Sequence, residues 1–285
     1  MAALNFKGED ELKKFIKENF YLINNVAKER INTEIMHIFE SPFLVEVLLE
    51  MFEDGSLEFI FPFISKIKKI PPNTHHHLDL VHHSIETVKH IKSNKPLLKL
   101  AAFYHDIGKP DTWTIEDTGR HRFIGHDIKG GEIVKKELSD LKFSQSQINY
   151  ISKMVRYHIY PAALVHSADN QKAFARFVRK MGSDTLDIIE LSRADRLSAQ
   201  GEAVTKEMTQ AALNHLDNLS AYYNKVKSIA QNPKCLLDGR EIMQELNINP
   251  SKKVGAIIEE LIEQQLMGTI KTKQDALNYI KKFKN

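Results

Sequence analysis

Apolar residues recur along most of the chain at intervals of three and four, which is the spacing of one buried face of an α-helix. The stretches "KERINTEIMHIF" and "PFLVEVLLEMF" show this spacing near the N-terminus, and "KKVGAIIEELIEQQLMG" shows it near the C-terminus. Twelve glycines and nine prolines are few for 285 residues, so positions that break helices are rare. The pattern predicts an all-α fold, a helical bundle, in which "TWTIEDTGRHRF" is either a short hairpin or an ordered loop.

Breaks in the helical pattern divide the chain into three predicted regions. A proline pair near residue 71 ends the first region, and the histidines are concentrated in the second. In the third region the pattern predicts two short helices joined by "NINPS" and a last amphipathic helix from about residue 273. The predicted regions are an N-terminal helical region over 1–73, a histidine-rich domain over 74–205 and a C-terminal helical tail over 206–285.

Composition and charge indicate an ordinary protein of the reducing cytoplasm. Forty basic against 37 acidic residues give a formal charge of +3, which permits a nucleic-acid partner without requiring one. The single cysteine, Cys235, excludes an internal disulfide and a cysteine-based zinc site, so nitrogen and oxygen atoms must hold any metal. The N-terminus becomes charged within ten residues, and no stretch approaches the ~18 apolar residues needed to span a bilayer. We therefore expect no membrane partner.

Several imidazole and carboxylate side chains occur on otherwise apolar helix faces. In "YHDIGKP", His105 and Asp106 close an apolar helix that the following glycine and proline terminate. The other inward positions are those of His83, His126, His158 and Asp195. A buried carboxylate without a partner is costly, and a metal ion is one common way to offset that cost. Each residue alone fits a hydrogen-bonded core position, but together they fit a metal site inside a helix bundle.

The ligand types restrict which metals fit. Neutral imidazole and carboxylate suit transition metals, whereas a site with few carboxylates suits calcium badly. We expect one or two divalent ions, with Ni, Mn, Co, Fe, Zn and Mg as the candidates. The run "THHHLDLVHH" does not supply five ligands, because successive helical residues point about 100° apart, and only His83 borders the apolar stripe.

The order and spacing of these residues resemble the H…HD…D signature of the HD superfamily of metal-dependent phosphohydrolases. The resemblance covers residues 74 to about 205, and "HDIGKP" is similar to the HDIG subgroup. It implies an HD-domain core, with one ion held by His83, His105, Asp106 and Asp195. It further implies that Asp106 bridges to a second ion, which His126 and His158 help to hold.

The flanking stretches resemble tRNA nucleotidyltransferases, the CCA-adding enzymes. "ERINTEIMHIFESP" is similar to their neck helix, and the stretch that begins "LLDGREIMQEL" is similar to their tail, so the likeness runs from about residue 28 to the C-terminus. The glycine-serine turn and paired aspartates of their nucleotidyltransferase head are missing from this sequence. We therefore expect a stand-alone HD protein that does not add nucleotides.

The resemblance implies hydrolysis of a phosphate ester by a metal-activated water, with Asp106 and Lys109 as the catalytic residues. Lys109 lies one helical turn beyond His105 and is expected either to reach a substrate phosphate or to face its own helix dipole. Further candidates for phosphate contacts are Arg120, Arg122 and Arg156. The expected substrates are a nucleotide, a 2′,3′-cyclic phosphate or an RNA end, which makes the chain a phosphomonoesterase or a phosphodiesterase.

Two other functions fit the same residues. Some HD proteins use this ligand pattern to hold two irons and perform oxygenation, and iron content with oxygen uptake identifies that activity. The chain could instead be a tRNA- or RNA-binding module with a relic site, for which RNA binding with steep salt dependence is the mark. All six ligand positions carry a residue that can bind a metal, which weighs against a relic site.

Overall fold

Helices dominate the computed structural model, which describes residues 10–71, 78–166, 170–199 and 201–284. Within these ranges, strands are confined to one two-stranded hairpin. The all-α prediction is therefore confirmed, and "TWTIEDTGRHRF" forms the hairpin, not the loop. The predicted boundary at 73/74 lies outside the described residues, and the division into three regions stays a prediction.

The helices follow one another as α1 (Asp10–Asn19), α2 (Lys28–Glu40), α3 (Leu44–Glu53), α4 (Leu57–Ile60), α5 (Ile64–Ile67), α6 (Leu80–His90), α7 (Pro96–Tyr104), α8 (Lys109–Thr112), α9 (His126–Asp140), α10 (Gln145–Tyr157), α11 (Tyr160–Ala163), α12 (Asn170–Met181), α13 (Thr185–Ser198), α14 (Lys206–Gln231), α15 (Gly239–Leu246), α16 (Lys252–Met267) and α17 (Lys273–Ile280). Between α8 and α9, β1 (Thr114–Ile115) pairs antiparallel with β2 (His121–Arg122). None of the helices in the described ranges is long and apolar enough to cross a membrane.

The chain forms two compact units. The first consists of Met1–Tyr160 and Glu190–Leu213, and the second consists of Pro161–Ile189 and Asn214–Asn285. In the second unit, α16 packs against α12 and α15, and α15 packs against α17. The predicted helices around "NINPS" and the last helix from residue 273 correspond to α15, α16 and α17.

The first unit is built around α7, whose sequence is almost entirely apolar. This helix packs against α2, α6 and α10, while α9 packs along α10. An aromatic cluster with ring centroids 4.8–6.3 Å apart fills one side, and it consists of Phe39, Phe61, Phe63, Phe103 and Tyr104. Because α7 is buried on nearly all sides, the residues that follow its last turn are held deep inside the unit.

An acidic side chain on α9 lies close to this aromatic cluster. Burial raises the pKa of Glu137 to about 7, and the Tyr104 hydroxyl and the Lys66 ammonium offset this rise only in part. Burial and the charge of Glu137 also raise the pKa of Tyr104. The folded chain therefore favours the protonated form of Glu137.

This burial predicts a pH-dependent stability. The folded-state pKa of Glu137 exceeds its ordinary value, so protonation of this carboxyl stabilises the folded state. This contribution to the free energy of unfolding is complete below about pH 4 and is lost as the pH rises through about 7. We expect Glu137→Gln to raise the free energy of unfolding by about 1–2 kcal/mol at pH 8 and by much less at pH 5. Urea denaturation at both pH values measures the effect, and Glu132→Gln, an exposed change on α9, is the control. Equal effects of Glu137→Gln at the two pH values would contradict the prediction.

Candidate metal centre

The turn after α7 carries the first two candidate ligands. His105 and Asp106 directly follow the helix and are both buried. The next turn lies against the start of α9. A Cβ atom added to Gly108 in this turn would lie only 2.0 Å from the carbonyl oxygen of His126 and 2.6 Å from the amide nitrogen of Gly130. Only glycine permits this approach, which brings the first residue of α9 close to Asp106.

The remaining candidate ligands come from other helices of the first unit. His83 lies within α6 and His158 directly follows α10, and both are buried. His126 is the first residue of α9, and Asp195 lies on α13 with a quarter of its side chain exposed. The structure thus brings together all six residues that the sequence predicts as ligands.

A first group of side chains converges around the Nε2 atoms of His83 and His105, which lie 3.2 Å apart. Asp195 Oδ1 lies 3.2 Å from Nε2 of His83 and 3.6 Å from Nε2 of His105. Asp106 Oδ2 lies 3.2 Å from Nε2 of His105 and 3.5 Å from Nε2 of His83. These four residues form a compact set of nitrogen and oxygen donors, called here the first centre.

A second group faces the other oxygen of Asp106. The Oδ1 atom lies 3.5 Å from Nε2 of His126 and 3.9 Å from Nε2 of His158. The two Nε2 atoms lie 3.2 Å apart. This group, called here the second centre, shares Asp106 with the first centre, so the two oxygens of one carboxylate face both.

Hydrogen bonds at Nδ1 decide which nitrogen of each ring faces the centres. In three rings, Nδ1 lies 2.7–2.8 Å from a carbonyl oxygen three residues earlier, with the pairs His105 and Ala102, His126 and Phe123, and His158 and Val155. A carbonyl oxygen only accepts, so each Nδ1 carries a proton that it donates. The neutral form of each ring therefore directs the lone pair of Nε2 at the metal centre.

His83 is oriented by a side chain that is distant in the sequence. Its Nδ1 lies 3.2 Å from Ser198 Oγ on α13. This oxygen also lies 2.8 Å from Thr87 Oγ1, and Thr87 donates its hydroxyl proton to the carbonyl oxygen of His83. Neither Ser198 nor Thr87 is among the residues predicted for the site. Their spacing, three residues after Asp195 and four residues after His83, places them on the same helix faces as those ligands and was the available signal.

The donor set fits a divalent transition metal. Two ligands bound about 2.0–2.2 Å from one ion lie about 3.0–3.6 Å apart, and the closest pairs in both centres are separated by 3.2 Å. Imidazole lone pairs that face each other at this distance repel unless a proton or a cation lies between them. Among the described residues, none donates a hydrogen bond of regular geometry to the buried Oδ2 of Asp106, although the Lys109 ammonium lies beside it. Nitrogen and carboxylate donors in this arrangement suit the transition metals among the candidates, Ni, Mn, Co, Fe and Zn, better than Mg.

Lys109 is buried beside the same carboxylate. Its Nζ lies 2.6 Å from Asp106 Oδ2 and 5.4 Å from the centroid of the Phe123 ring. Lys109 is the first residue of α8. Its ammonium therefore lies at the first centre, paired with Asp106.

The carboxylates of the two centres favour a proton on His105 before any metal binds. Burial acts to lower the pKa of His105, but the carboxylates of Asp106 and Asp195 raise it to about 10. Burial lowers the pKa of His158 to about 3 and also lowers that of His83. Burial acts to raise the pKa values of Asp106 and Asp195, but the surrounding cationic groups, His105 first, hold both well below the usual range.

Metal binding should therefore release a proton. A divalent ion at the first centre must displace the proton of His105, whose pKa is about 10, so we expect release of about one proton for the ion bound there between pH 6 and 9. The apparent affinity should rise about tenfold per pH unit over this range. Isothermal titration of metal in buffers with different ionisation enthalpies measures the released protons. The control is His90→Ala, which removes an imidazole paired with Glu86 outside the centres. Binding without proton release would contradict the prediction.

An open cavity of about 480 Å³ lies over the two centres, and its lining includes Asp106, Lys109 and Arg122. Arg122 lies on β2, and its Nε donates to Glu116 at 2.6 Å. The other two predicted phosphate-binding arginines do not line the cavity: Arg120 is exposed at the hairpin turn, and Arg156 forms an ion pair with Asp127.

Comparisons with known proteins agree with this site. Residues 75–200 match the HD domain family, and residues 5–68 match a family described as a probable RNA- and SrmB-binding site of polymerase A. The A-adding tRNA nucleotidyltransferase of Deinococcus radiodurans is 28% identical over 262 residues, which cover 90% of this chain and 58% of that protein. The CC-adding enzyme of Thermus thermophilus is 29% identical over 260 residues, covering 89% of this chain and 56% of that enzyme.

A further relative is ribonuclease Y of Fusobacterium nucleatum, 26% identical over 238 residues, which cover 81% of this chain and 38% of that protein. The chain spans less than three fifths of the length of the two nucleotidyltransferases. The predicted resemblance is confirmed in both its parts. Residues 75–200 of the chain therefore match the HD domain family, residues 5–68 match an RNA-binding family, and the chain as a whole is similar to tRNA nucleotidyltransferases.

Proposed function

We propose that this protein is a metal-dependent phosphohydrolase, a phosphomonoesterase or phosphodiesterase that acts on a nucleotide, a 2′,3′-cyclic phosphate or an RNA end. One observation carries the proposal: the two oxygens of Asp106 face two groups of imidazoles at the base of an open cavity. When bound there, divalent ions supply a water of lowered pKa and neutralise charge on phosphoryl oxygens. Hydrolysis of a phosphate ester needs both effects.

Side chains of the protein would bind the metals and stabilise the charge of the phosphate. Asp106, His83, His105 and Asp195 would hold the ion of the first centre, and His126 and His158 would help to hold that of the second. Lys109 places a buried ammonium beside Asp106, and Arg122 places a guanidinium on the cavity wall. Fixed cations next to a phosphoryl group stabilise the charge that develops in the transition state.

The comparisons support the class of reaction. HD domains are usually hydrolases, and the match covers every candidate ligand. One relative is named a ribonuclease, which supports an RNA phosphodiester as a substrate, and two are named for tRNA. These names favour nucleotides and RNA ends over other phosphate esters.

Metal analysis followed by a phosphate-release screen tests the proposal. Purified protein is assayed with and without added Ni, Mn, Co and Mg on nucleotides, 2′,3′-cyclic nucleotides and RNA ends. We expect metal-dependent release that His158→Ala reduces more than about 100-fold and that the control His90→Ala leaves unchanged. Bound metal without release would contradict the hydrolase, and bound iron with oxygen uptake would identify an oxygenase instead.

RNA binding is a second candidate function, and the match of residues 5–68 favours it. Phe15 on α1 and Tyr21 just after it are 62% and 60% exposed, and exposed aromatic rings can stack on unpaired bases. Filter binding of tRNA over a range of salt concentrations tests this candidate. Steep salt dependence, with weaker binding by Tyr21→Ala, would support it. Such binding by protein that holds no metal would favour a relic site.

A further inference from the structure

One wall of the cavity comes from the hairpin and the loop that follows it. Five consecutive residues, 121–125, line the cavity. The ring centroid of His121 on β2 lies 5.4 Å from that of Trp113, the residue before β1. The carbonyl oxygen of Phe123 accepts hydrogen bonds from both the amide and Nδ1 of His126, at 3.2 and 2.8 Å. The wall is therefore fixed to a ligand of the second centre.

The cationic groups of the cavity already have partners. Arg122 on the wall donates to Glu116, and Lys109 at the base is paired with Asp106, both at 2.6 Å. The surface that the cavity offers to the organic part of a substrate is therefore mainly apolar. His121 and Phe123 also line the cavity but are partly buried. The most exposed apolar side chains of the lining are Ile124, which is 81% exposed, and Ile159, which is 38% exposed and directly follows His158.

An exposed isoleucine at the mouth of a polar cavity gains stability when a ligand covers it. Burial of apolar surface is favourable in proportion to the area removed from water. A flat, largely uncharged ring system covers an aliphatic side chain better than a hydrated sugar does. A cavity of about 480 Å³ is also of the size that holds a small ligand such as a single nucleotide.

We propose that Ile124 and Ile159 form the surface against which the planar base of a nucleoside phosphate packs. This contact makes the site prefer nucleoside phosphates to phosphate esters that lack a base. The inference rests on the proposed function, since it assumes that the phosphate lies over the two centres. Two isoleucines and no charged side chain provide the contact. It therefore distinguishes ligands that have a base from ligands that lack one, and it discriminates little between different bases.

The test compares two phosphate esters that differ only in the base, 5′-AMP and ribose 5-phosphate. The variants are Ile124→Ser and Ile159→Ser, and the control is Ile115→Ser. Ile115 is 60% exposed on β1 of the same hairpin and does not line the cavity. The measured quantities are kcat/KM for both esters and the dissociation constants of their methylene phosphonates, which cannot be hydrolysed. All three positions are exposed, so the variants should fold.

We expect Ile124→Ser and Ile159→Ser each to weaken binding of the AMP phosphonate by about tenfold and to leave that of the ribose phosphonate unchanged. The ratio of kcat/KM for the two esters should fall by the same factor, and Ile115→Ser should change neither quantity. Equal losses for both compounds, or no loss for either, would overturn the inference. If the phosphonates behave as expected but neither these esters nor any substrate of the phosphate-release screen is hydrolysed, the inference holds as a binding site and the proposed function fails.

Discussion

Asp106→Ala is expected to lose bound metal and phosphate-ester hydrolysis together. Its two carboxylate oxygens face separate imidazole groups, at 3.2–3.5 Å in the first centre and 3.5–3.9 Å in the second. Removing this one side chain therefore takes a donor from both centres. Elemental analysis of the purified variant should find less than one tenth of the metal of the wild type, and turnover should fall by more than about 1,000-fold.

The same substitution should destabilise the protein even without metal. Lys109 is buried and its ammonium lies 2.6 Å from Asp106 Oδ2, so Asp106→Ala leaves a buried cation without its closest partner. Breaking a buried ion pair by removing one partner costs about 3–5 kcal/mol, because the remaining charge stays buried. We expect a loss of about 3 kcal/mol in the free energy of unfolding of the metal-free protein.

A double variant separates the two effects of Asp106. Asp106→Ala with Lys109→Met removes both charges, so the free energy of unfolding should recover by at least half, while metal and activity stay lost. Urea denaturation of wild type, both single variants and the double variant, all in chelator, gives the coupling energy. If the double variant is no more stable than Asp106→Ala, the unpaired ammonium of Lys109 is not the cause of the lost stability, and the prediction is wrong.

Gly108→Ala is expected to displace α9 or to prevent folding of the first unit. The new Cβ atom would lie 2.0 and 2.6 Å from backbone atoms of His126 and Gly130, and backbone atoms cannot move aside without the helix. A shift of α9 would carry His126 away from Asp106 and open the second centre. The expected cost exceeds about 3 kcal/mol, at the upper end for overpacking of a core.

Two alanine variants provide matched controls for Gly108. Gly255 lies in α16, and apart from its own helix backbone no atom of the described residues lies within 4 Å of an added Cβ, so Gly255→Ala should be neutral or stabilising. Gly130→Ala meets Val155 Cγ1 at 3.0 Å, and this side chain can adjust, so the loss should be intermediate. Thermal unfolding and the number of ions bound per chain measure the series. A Gly108→Ala protein with wild-type melting temperature and metal content would contradict the close approach.

The periodicity of the sequence was sufficient to predict the helices and the inward direction of the candidate ligands. His158 continues an apolar stripe spaced at three and four residues, and it is buried after α10 as that spacing predicts. His105 and Asp106 follow an apolar helix whose burial was evident from its composition. Such properties depend on neighbours within one or two helical turns, which a single sequence displays.

Contacts between distant segments could not be predicted in the same way. The sequence indicates Gly108 only as a helix stop, whereas the close approach of the α9 backbone is what requires a glycine at this position. Arg120 and Arg122 are equivalent in the sequence, but the hairpin exposes the first and places the second on the cavity wall. Arg156 pairs with Asp127, 29 residues away, and no local pattern indicates that pair.

The hydrogen bonds at Nδ1 divide the imidazoles into two kinds with different prospects for protein engineering. Three rings take their orientation from a carbonyl oxygen three residues earlier, so each can be moved to a new scaffold together with only the three residues before it. His83 depends on Ser198, 115 residues away, and cannot be moved alone. A designer who copies this site must therefore transplant α6 and α13 as a pair, whereas the other rings can be grafted one at a time.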